Sequence, residues 1–403
     1  MSDLQRLLFG DDGKLRPLWR ATVFFVLTFW LLPLLFFPLV VRIATWFQLK
    51  LALTAGVIAF VETEYFVIAL IPTAFFAWYE GRRIDSYGLV LGRAFGAPTW
   101  EGVAVGVIAV GTVGIAMLAL GGMQVHGFAA PPNVLAFSAL AWIGANICVG
   151  ISEEFWFRHY LLATLWKSVG FWPASAAIAL AFAAIHYFNK PGENIWDVIT
   201  LMSFSMVLCY SVLRTGALWF AVGFHGAFDF MQLVVVGSPN GGQVPVGRLF
   251  NTTFHGPAWL TGGSLGTEAS LLMYPMIALV WLYIRWRFPA FAFRRAVGVK
   301  SESRAGALTE NRALQRVAEA VNSGDSGNDP RTIRKGCRAS PATYPLELRL
   351  PRDAALPDGP AGGVACRFRR FVETQLRVFG VFPGFDRSVV ARSAAPDVEL
   401  VPA

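Results

Sequence analysis

Three short polar clusters interrupt long apolar stretches of the sequence, and they hold residue types that can activate water. The clusters are Glu153-Glu154-x-x-x-Arg158, Phe182-x-x-x-His186 and His225-x-x-x-Asp229. An ionisable side chain at bilayer depth costs about 2.5–3.5 kcal/mol on insertion scales, so its presence indicates a function. Carboxylates and imidazoles together can hold and deprotonate a water molecule. The sequence therefore predicts an intramembrane hydrolase.

The composition is that of a membrane protein with a polar C-terminal part. Of 403 residues, 55% are hydrophobic and 15% are charged, and the mean hydropathy is +0.52. Soluble domains carry about 25% charged residues. Residues 1–298 hold 18 basic and 14 acidic residues, and residues 299–403 hold 16 basic and 12 acidic. We expect a cytosolic segment at 1–19, a transmembrane domain at 20–298 and a polar, largely disordered tail at 299–403.

The net charge of +8 does not indicate a nucleic-acid-binding protein. The basic residues lie mostly beside apolar segments, where they determine the orientation of a membrane protein. A basic stripe with interleaved aromatic residues, which would favour nucleic-acid binding, is not found in the sequence. We therefore expect membrane lipids, and no nucleic acid, among the partners.

Eight apolar segments are long enough to cross a bilayer, which takes about 20 helical residues. They lie at 20–41, 52–79, 100–121, 136–168, 172–188, 195–213, 217–236 and 270–288. The predicted fold class is an all-α polytopic membrane protein. At about 1.5 Å per residue the fourth segment would be about 50 Å long, so it must tilt, kink or protrude. Eight spans and the flanking Lys and Arg residues place both termini in the cytosol.

The turn at 168–172 brings the first two clusters to one depth in the membrane. Glu153 and Glu154 lie about 15 residues before this turn, and His186 lies about as far after it. An antiparallel helical hairpin therefore sets them at equal height, because the rise per residue is constant. His225 begins about nine residues into its own segment and also lies away from both interfaces.

The spacing in the first cluster predicts that one carboxylate forms an ion pair and that the other is available for catalysis. Glu154 and Arg158 are four residues apart, which favours an ion pair that offsets much of the cost of burial. Such a pair alone is most often structural. Glu153 lies about 100° around the helix from Glu154 and is left for another role. A carboxylate in a dry site with a second carboxylate nearby is suited to act as a general base.

The histidine clusters each place two side chains on one helix face. Phe182 and His186 are four residues apart, so the ring can pack beside the imidazole. His225 and Asp229 have the spacing at which zincins place two ligands on one metal. Each histidine alone is equally consistent with a hydrogen bond between helices. The three clusters at one depth favour a functional site.

Glu62 and Glu64 in the second span leave two interpretations open. They can line a polar access path to the site. They can also lie near a helix end and reach water, which is the interpretation favoured by their long side chains.

The three clusters together resemble the signature of the CPBP intramembrane proteases (CAAX protease and bacteriocin-processing, also called Abi). The resemblance covers about 136–232. It implies that Glu153 activates the attacking water with help from His186, and that Glu154 and Arg158 orient the neighbouring groups. One departure is His159, where the family often has glycine directly after the motif arginine.

The resemblance also implies roles for the third cluster and for a metal. His225 and Asp229 would bind a metal or polarise the scissile carbonyl at the oxyanion. If a divalent metal is used, with zinc expected first, its ligands would be Glu153, His186, His225 and Asp229. A glutamate-activated water with hydrogen-bonded oxyanion stabilisation needs no metal in principle.

The predicted function is an intramembrane metalloendopeptidase similar to CAAX prenyl proteases. It would hydrolyse a peptide bond in a substrate with a membrane-embedded or prenylated segment. A bacterial cytoplasmic membrane is the expected location. Two alternatives stay open, a non-catalytic immunity or scaffold protein of the same fold and an ion- or proton-coupled transporter.

Overall fold

The computed structural model describes residues 3–49, 52–189 and 194–289, and helices dominate there. In chain order they are α1 (Asp3–Leu8), α2 (Pro17–Val26), α3 (Leu32–Trp46), α4 (Ala55–Glu80), α5 (Ala97–Ala119), α6 (Pro132–Arg158), α7 (Tyr160–Val169), α8 (Phe171–Asn189), α9 (Ile195–Thr215), α10 (Trp219–Phe230), α11 (Ala258–Thr261) and α12 (Met273–Arg287). Strands β1 (Met123–Phe128) and β2 (Phe250–Phe254) pair antiparallel. π-helical turns join α2 to α3 (Leu27–Leu31) and extend α10 (Met231–Val236). The predicted polar tail, 299–403, lies outside the described residues.

Within the described residues, seven helices are long and apolar enough to cross a membrane. They correspond to the first seven predicted spans, so the polytopic all-α fold is confirmed. The predicted eighth span, 270–288, is the shorter helix α12, which has 15 residues. Such a helix is about 22 Å long, whereas the hydrocarbon core is about 30 Å thick. The even number of spans, which placed both termini on one side, is therefore not supported.

The long fourth span kinks, as its length required. α6 ends at Arg158, and His159 has φ −88° and ψ −104°, which interrupts the helix before α7 begins at Tyr160. The buried His159 ring stacks on Phe155 with ring centroids 4.4 Å apart, and it meets the edge of Tyr87 at 5.5 Å. The residue that departs from the family pattern thus packs at the kink and does not line the cavity described below.

A buried ionic cluster around Glu80 joins the end of α4 to α2 and α7. Glu80 Oε1 lies 3.1 Å from Arg20 and accepts a hydrogen bond from the Tyr160 hydroxyl at 2.9 Å. Glu80 Oε2 lies 3.7 Å from Lys167 and accepts from the Tyr87 hydroxyl at 3.2 Å. Burial, with the Glu80 charge beside it, raises the pKa of Tyr87 and keeps that hydroxyl a donor. Two cations and two donors together offset the cost of burying one carboxylate.

α4 and α6 run parallel, and aromatic contacts fix their register. Tyr65 on α4 stacks on Trp156 of α6 with ring centroids 4.7 Å apart. The adjacent Phe66 on α4 meets Phe155 on α6, with ring centroids 4.9 Å apart. The Glu80 cluster lies at the C-terminal ends of α4 and α6, beside α7. Positions one turn before these rings therefore lie at equal depth on the two helices.

α10 packs against α6 at glycines that let the two backbones touch. A Cβ atom on Gly150 would lie 2.6 Å from the Val222 carbonyl oxygen, and one on Gly226 would lie 2.7 Å from the Asn146 carbonyl oxygen. Small residues at helix contacts are typical of membrane bundles, where close approach supplies the packing energy. On the opposite side of α10 the same close approach to α5 occurs at Gly102, Gly106 and Gly223.

We predict that Gly150→Ala lowers the unfolding free energy by about 1–3 kcal/mol, because the added methyl group must displace backbone. The matched control is Gly144→Ala on the same helix, where a Cβ meets no atom within 4 Å. That variant should be neutral or slightly more stable, because alanine favours helix. Thermal unfolding in detergent compares the two. Equal melting temperatures would contradict the proposed backbone contact.

Candidate active site

The carboxylate of Glu154 connects two of the predicted clusters. Its Oε1 accepts a hydrogen bond from Arg158 Nη1 at 2.7 Å and another from His225 Nδ1 at 2.8 Å. Glu154 and Arg158 are both fully buried. Arg158 Nη2 donates to Ser205 Oγ on α9 at 2.7 Å. The predicted ion pair is present, and it extends from α6 to α9 and α10.

This network fixes which nitrogen of His225 faces the reacting side. Nδ1 must carry a hydrogen, because its partner Glu154 is an acceptor. Nε2 lies 3.7 Å from Glu153 Oε2 and 3.8 Å from Asp229 Oδ2. The three atoms are close enough to act on one bound group. Nε2 is too far from either carboxylate oxygen for a direct hydrogen bond.

These atoms face a cavity of about 190 Å³ inside the helical bundle. Glu153, His186, His225 and Asp229 all line it, whereas Glu154 and Arg158 do not. The structure therefore brings the four predicted chemical residues together and places the other two behind them. The remaining wall is mainly apolar and includes Ile58, Val149, Leu201, Phe204, Phe228 and Met273.

Glu153 and His186 are the two cavity residues that the sequence predicts to activate water. Glu153 Oε2 is buried and receives no hydrogen bond from any described residue. His186 Nδ1 lies 2.8 Å from the Phe182 carbonyl oxygen, so it carries a hydrogen and donates it there. The Phe182 ring packs against His186 with centroids 4.4 Å apart. A carboxylate oxygen and a held imidazole can together position and deprotonate a water molecule.

His225 makes a structural contact and also lines the cavity. Its Nδ1 makes a hydrogen bond between helices, to Glu154 on α6, as a purely structural role would require. The residue also lines the cavity with Glu153 and Asp229. The cross-helix bond on Nδ1 fixes the ring orientation, so the structural contact is what positions Nε2.

The donor types at the cavity suit a divalent cation, whereas their spacing is wider than a bound cation requires. Imidazole nitrogen and carboxylate oxygen are both ligands of zinc, and an Nδ1 hydrogen bond to a carboxylate is common for metal-binding histidines. Donors around a tetrahedral zinc lie about 3.4 Å apart, slightly less than the 3.7 and 3.8 Å between His225 Nε2 and the two carboxylates. Across residues 3–49, 52–189 and 194–289, no group of three or more His, Cys, Asp or Glu is spaced to hold a metal ion.

The cavity contains carboxylates whose place the sequence did not determine. Glu62 is 7% exposed and lines the cavity from the interior of α4. The favoured interpretation, that it reaches water near a helix end, is therefore wrong for Glu62. Glu64 is half-buried and is not among the lining residues. Glu268 and Asn240 reach the cavity from the Gly- and Thr-rich segment after α10, where spacing gives no signal of a site.

We predict that Arg158→Leu lowers the unfolding free energy by about 3–5 kcal/mol, because it leaves a buried carboxylate without its cation. Arg83→Leu is the matched control, because the Arg83 side chain is 85% exposed in its pair with Asp85. An exposed pair contributes about 0–1 kcal/mol. Denaturant titration in mixed micelles measures both. A small loss for Arg158→Leu would show that the buried ion pair contributes little to the stability of the fold.

The family model of Rce1-like type II CAAX prenyl endopeptidases matches residues 135–231. This range runs from α6 to the start of the turn that extends α10, and it contains all three polar clusters. Comparisons with curated proteins and with solved structures gave no match. The resemblance inferred from the three clusters is thereby confirmed at the level of the family. Within a multi-pass membrane protein, residues 135–231 match the Rce1-like CAAX proteases.

Proposed function

We propose that the protein is an intramembrane endopeptidase in which Glu153 activates the attacking water. The observation that carries this proposal is the position of Glu153 Oε2. This oxygen is buried, lines the cavity and lies 3.7 Å from a histidine nitrogen whose orientation Glu154 fixes. The match to a protease family supports the same chemistry.

The proposed reaction uses the cavity groups in sequence. Water held by Glu153, beside His186, gives a proton to Glu153 as its oxygen bonds to the scissile carbonyl carbon. Without a cation, the oxyanion that forms accepts a hydrogen bond from Nε2 of His225 in its doubly protonated form, and the nearby Asp229 carboxylate stabilises that imidazolium. Glu153 then returns the proton to the leaving amine nitrogen, and the carbon–nitrogen bond breaks. Glu154 and Arg158 take no proton and keep His225 in place.

A divalent cation is the second part of the proposal. Glu153, His225 and Asp229 would hold it, with His186 as the fourth ligand, after the donor atoms move closer than the 3.7 and 3.8 Å that now separate His225 Nε2 from the two carboxylates. When bound, it would polarise the scissile carbonyl as a Lewis acid. Zinc suits the mixed nitrogen and oxygen donors.

The proposed substrate is a peptide with a membrane-embedded or prenylated segment. The apolar wall of the cavity and its position within a bundle of membrane-spanning helices support this class. The proposed location is a bacterial cytoplasmic membrane, with lipids as the immediate surroundings. The basic N-terminal residues Lys14, Arg16 and Arg20 favour a cytosolic N-terminus.

We predict that Glu153→Gln lowers kcat by about 10²–10⁴-fold, because the amide keeps the shape of the side chain but cannot accept the proton of water. The assay follows cleavage of membrane-tethered and farnesylated peptides by detergent-purified protein. Glu64→Gln is the control, because Glu64 lies on α4 outside the cavity lining. It should retain the wild-type rate.

Three outcomes separate the functions. Loss of cleavage in a folded Glu153→Gln protein supports the protease. Equal cleavage by both proteins would refute Glu153 as the base. No cleavage by folded wild-type protein across the peptide panel would favour the immunity or scaffold alternative.

We predict that zinc raises the melting temperature of the wild-type protein, because a ligand that binds only the folded state stabilises it. Asp229→Asn should show a smaller rise, since the amide is a weaker ligand than the carboxylate. The control Asp85→Asn, far from the cavity lining, should behave as wild type. Equal shifts in all three proteins, or none, would contradict a cation at this site.

A further inference from the structure

Glu62 is a buried carboxylate that the reaction above does not use. It lies in the interior of α4, a helix of 26 residues, and is 7% exposed. A carboxylate in this position is costly to bury unless it has partners or a function. The buried Ser152 hydroxyl on α6 interacts with this carboxylate, whereas its Oε2 has no hydrogen-bond partner within 3.5 Å among the described residues.

The register of α4 and α6 places Glu62 opposite Glu153. Glu62 lies three residues before Tyr65, and Glu153 lies three residues before Trp156. Tyr65 and Trp156 stack with centroids 4.7 Å apart on the two parallel helices. One turn back along both helices, the two carboxylates therefore lie at equal depth. They also line the same cavity and interact electrostatically.

Each of the two carboxylates has one oxygen that no described residue satisfies. Glu153 Oε2 and Glu62 Oε2 are each buried without a hydrogen-bond partner among the described residues. Buried polar atoms are nearly always satisfied by protein or by an ordered water. Two acceptors on one small cavity wall are satisfied together by a group that donates twice. Water is such a group.

We propose that Glu62 is a second catalytic carboxylate that accepts a hydrogen bond from the attacking water. One O–H of the water points to Glu153, which removes that proton, and the other points to Glu62, which exchanges none. Holding both hydrogens fixes the direction of the lone pair that attacks the carbonyl carbon. The inference rests on the proposed function, because it assigns a role around the same water.

The structural alternative gives a different result. If Glu62 were only a polar residue in a helix contact, replacing its carboxyl group would leave activity unchanged. It would also leave stability unchanged or improve it, since a buried polar group without a partner is destabilising. The two roles are therefore separated by comparing activity with stability in the same variants.

The test uses Glu62→Leu, Glu62→Gln and the control Glu64→Leu in full-length, detergent-purified protein. Glu62→Leu should lower kcat about 10²-fold with little change in KM, because a misplaced nucleophile costs about that much. Glu62→Gln keeps one acceptor oxygen and should retain part of the rate. Glu64→Leu should match the wild type. The assay substrate is the farnesylated peptide used for Glu153→Gln.

A second readout needs no substrate. If Glu62 and Glu153 hold one water, the Glu62→Leu and Glu153→Gln shifts in melting temperature should not add in the double variant. The shifts of Glu64→Leu and Glu153→Gln should add. Additive shifts for Glu62→Leu and Glu153→Gln, or wild-type kcat in Glu62→Leu, would overturn the inference. Non-additive shifts in a folded protein that cleaves no peptide would confirm the contact between the two carboxylates but reject the proposed function, and with it the catalytic role of Glu62.

Discussion

One carboxylate oxygen, Glu154 Oε1, sets the geometry on which the site depends. It accepts from Arg158 on its own helix and from His225 on α10. Inside a bundle a carboxylate with a single partner would be strongly destabilising, so both donors are needed. The hydrogen bond to His225 leaves that ring one orientation, with Nε2 toward Glu153 and Asp229. The positions of His225 and Asp229 on α10 depend on this contact.

That contact is short only because the backbones of α6 and α10 touch. Gly150 and Gly226 remove the side chains that would hold the two helices apart. In a lipid bilayer, apolar side chains gain little by leaving lipid for protein, so packing and interhelical hydrogen bonds supply the association energy. The glycines and the Glu154 network therefore support each other. Close backbones allow the hydrogen bond, and the hydrogen bond fixes the rotation of α10.

The sequence predicted the parts of the site that depend on local rules. Charges at bilayer depth identified the three clusters, and the 100° step between Glu153 and Glu154 separated the cavity residue from the pairing residue. Other features depend on contacts between distant segments. The depth of Glu62 follows from how α4 and α6 align, which aromatic stacking decides. Glu268 comes from an irregular segment without periodicity, and α12 begins three residues later than hydropathy suggested.

The size of the cavity limits the shape in which a peptide can be bound. Its volume, as bounded by the described residues, is about 190 Å³, and a cavity of about 150 Å³ holds one aromatic ring. A helix with side chains is about 10–12 Å across and cannot enter such a space. A membrane-spanning substrate of the proposed endopeptidase would therefore have to unwind around its scissile bond. Segments with glycine or proline near that bond lose less helical stability on unwinding, so intrinsic helix strength becomes a determinant of selectivity.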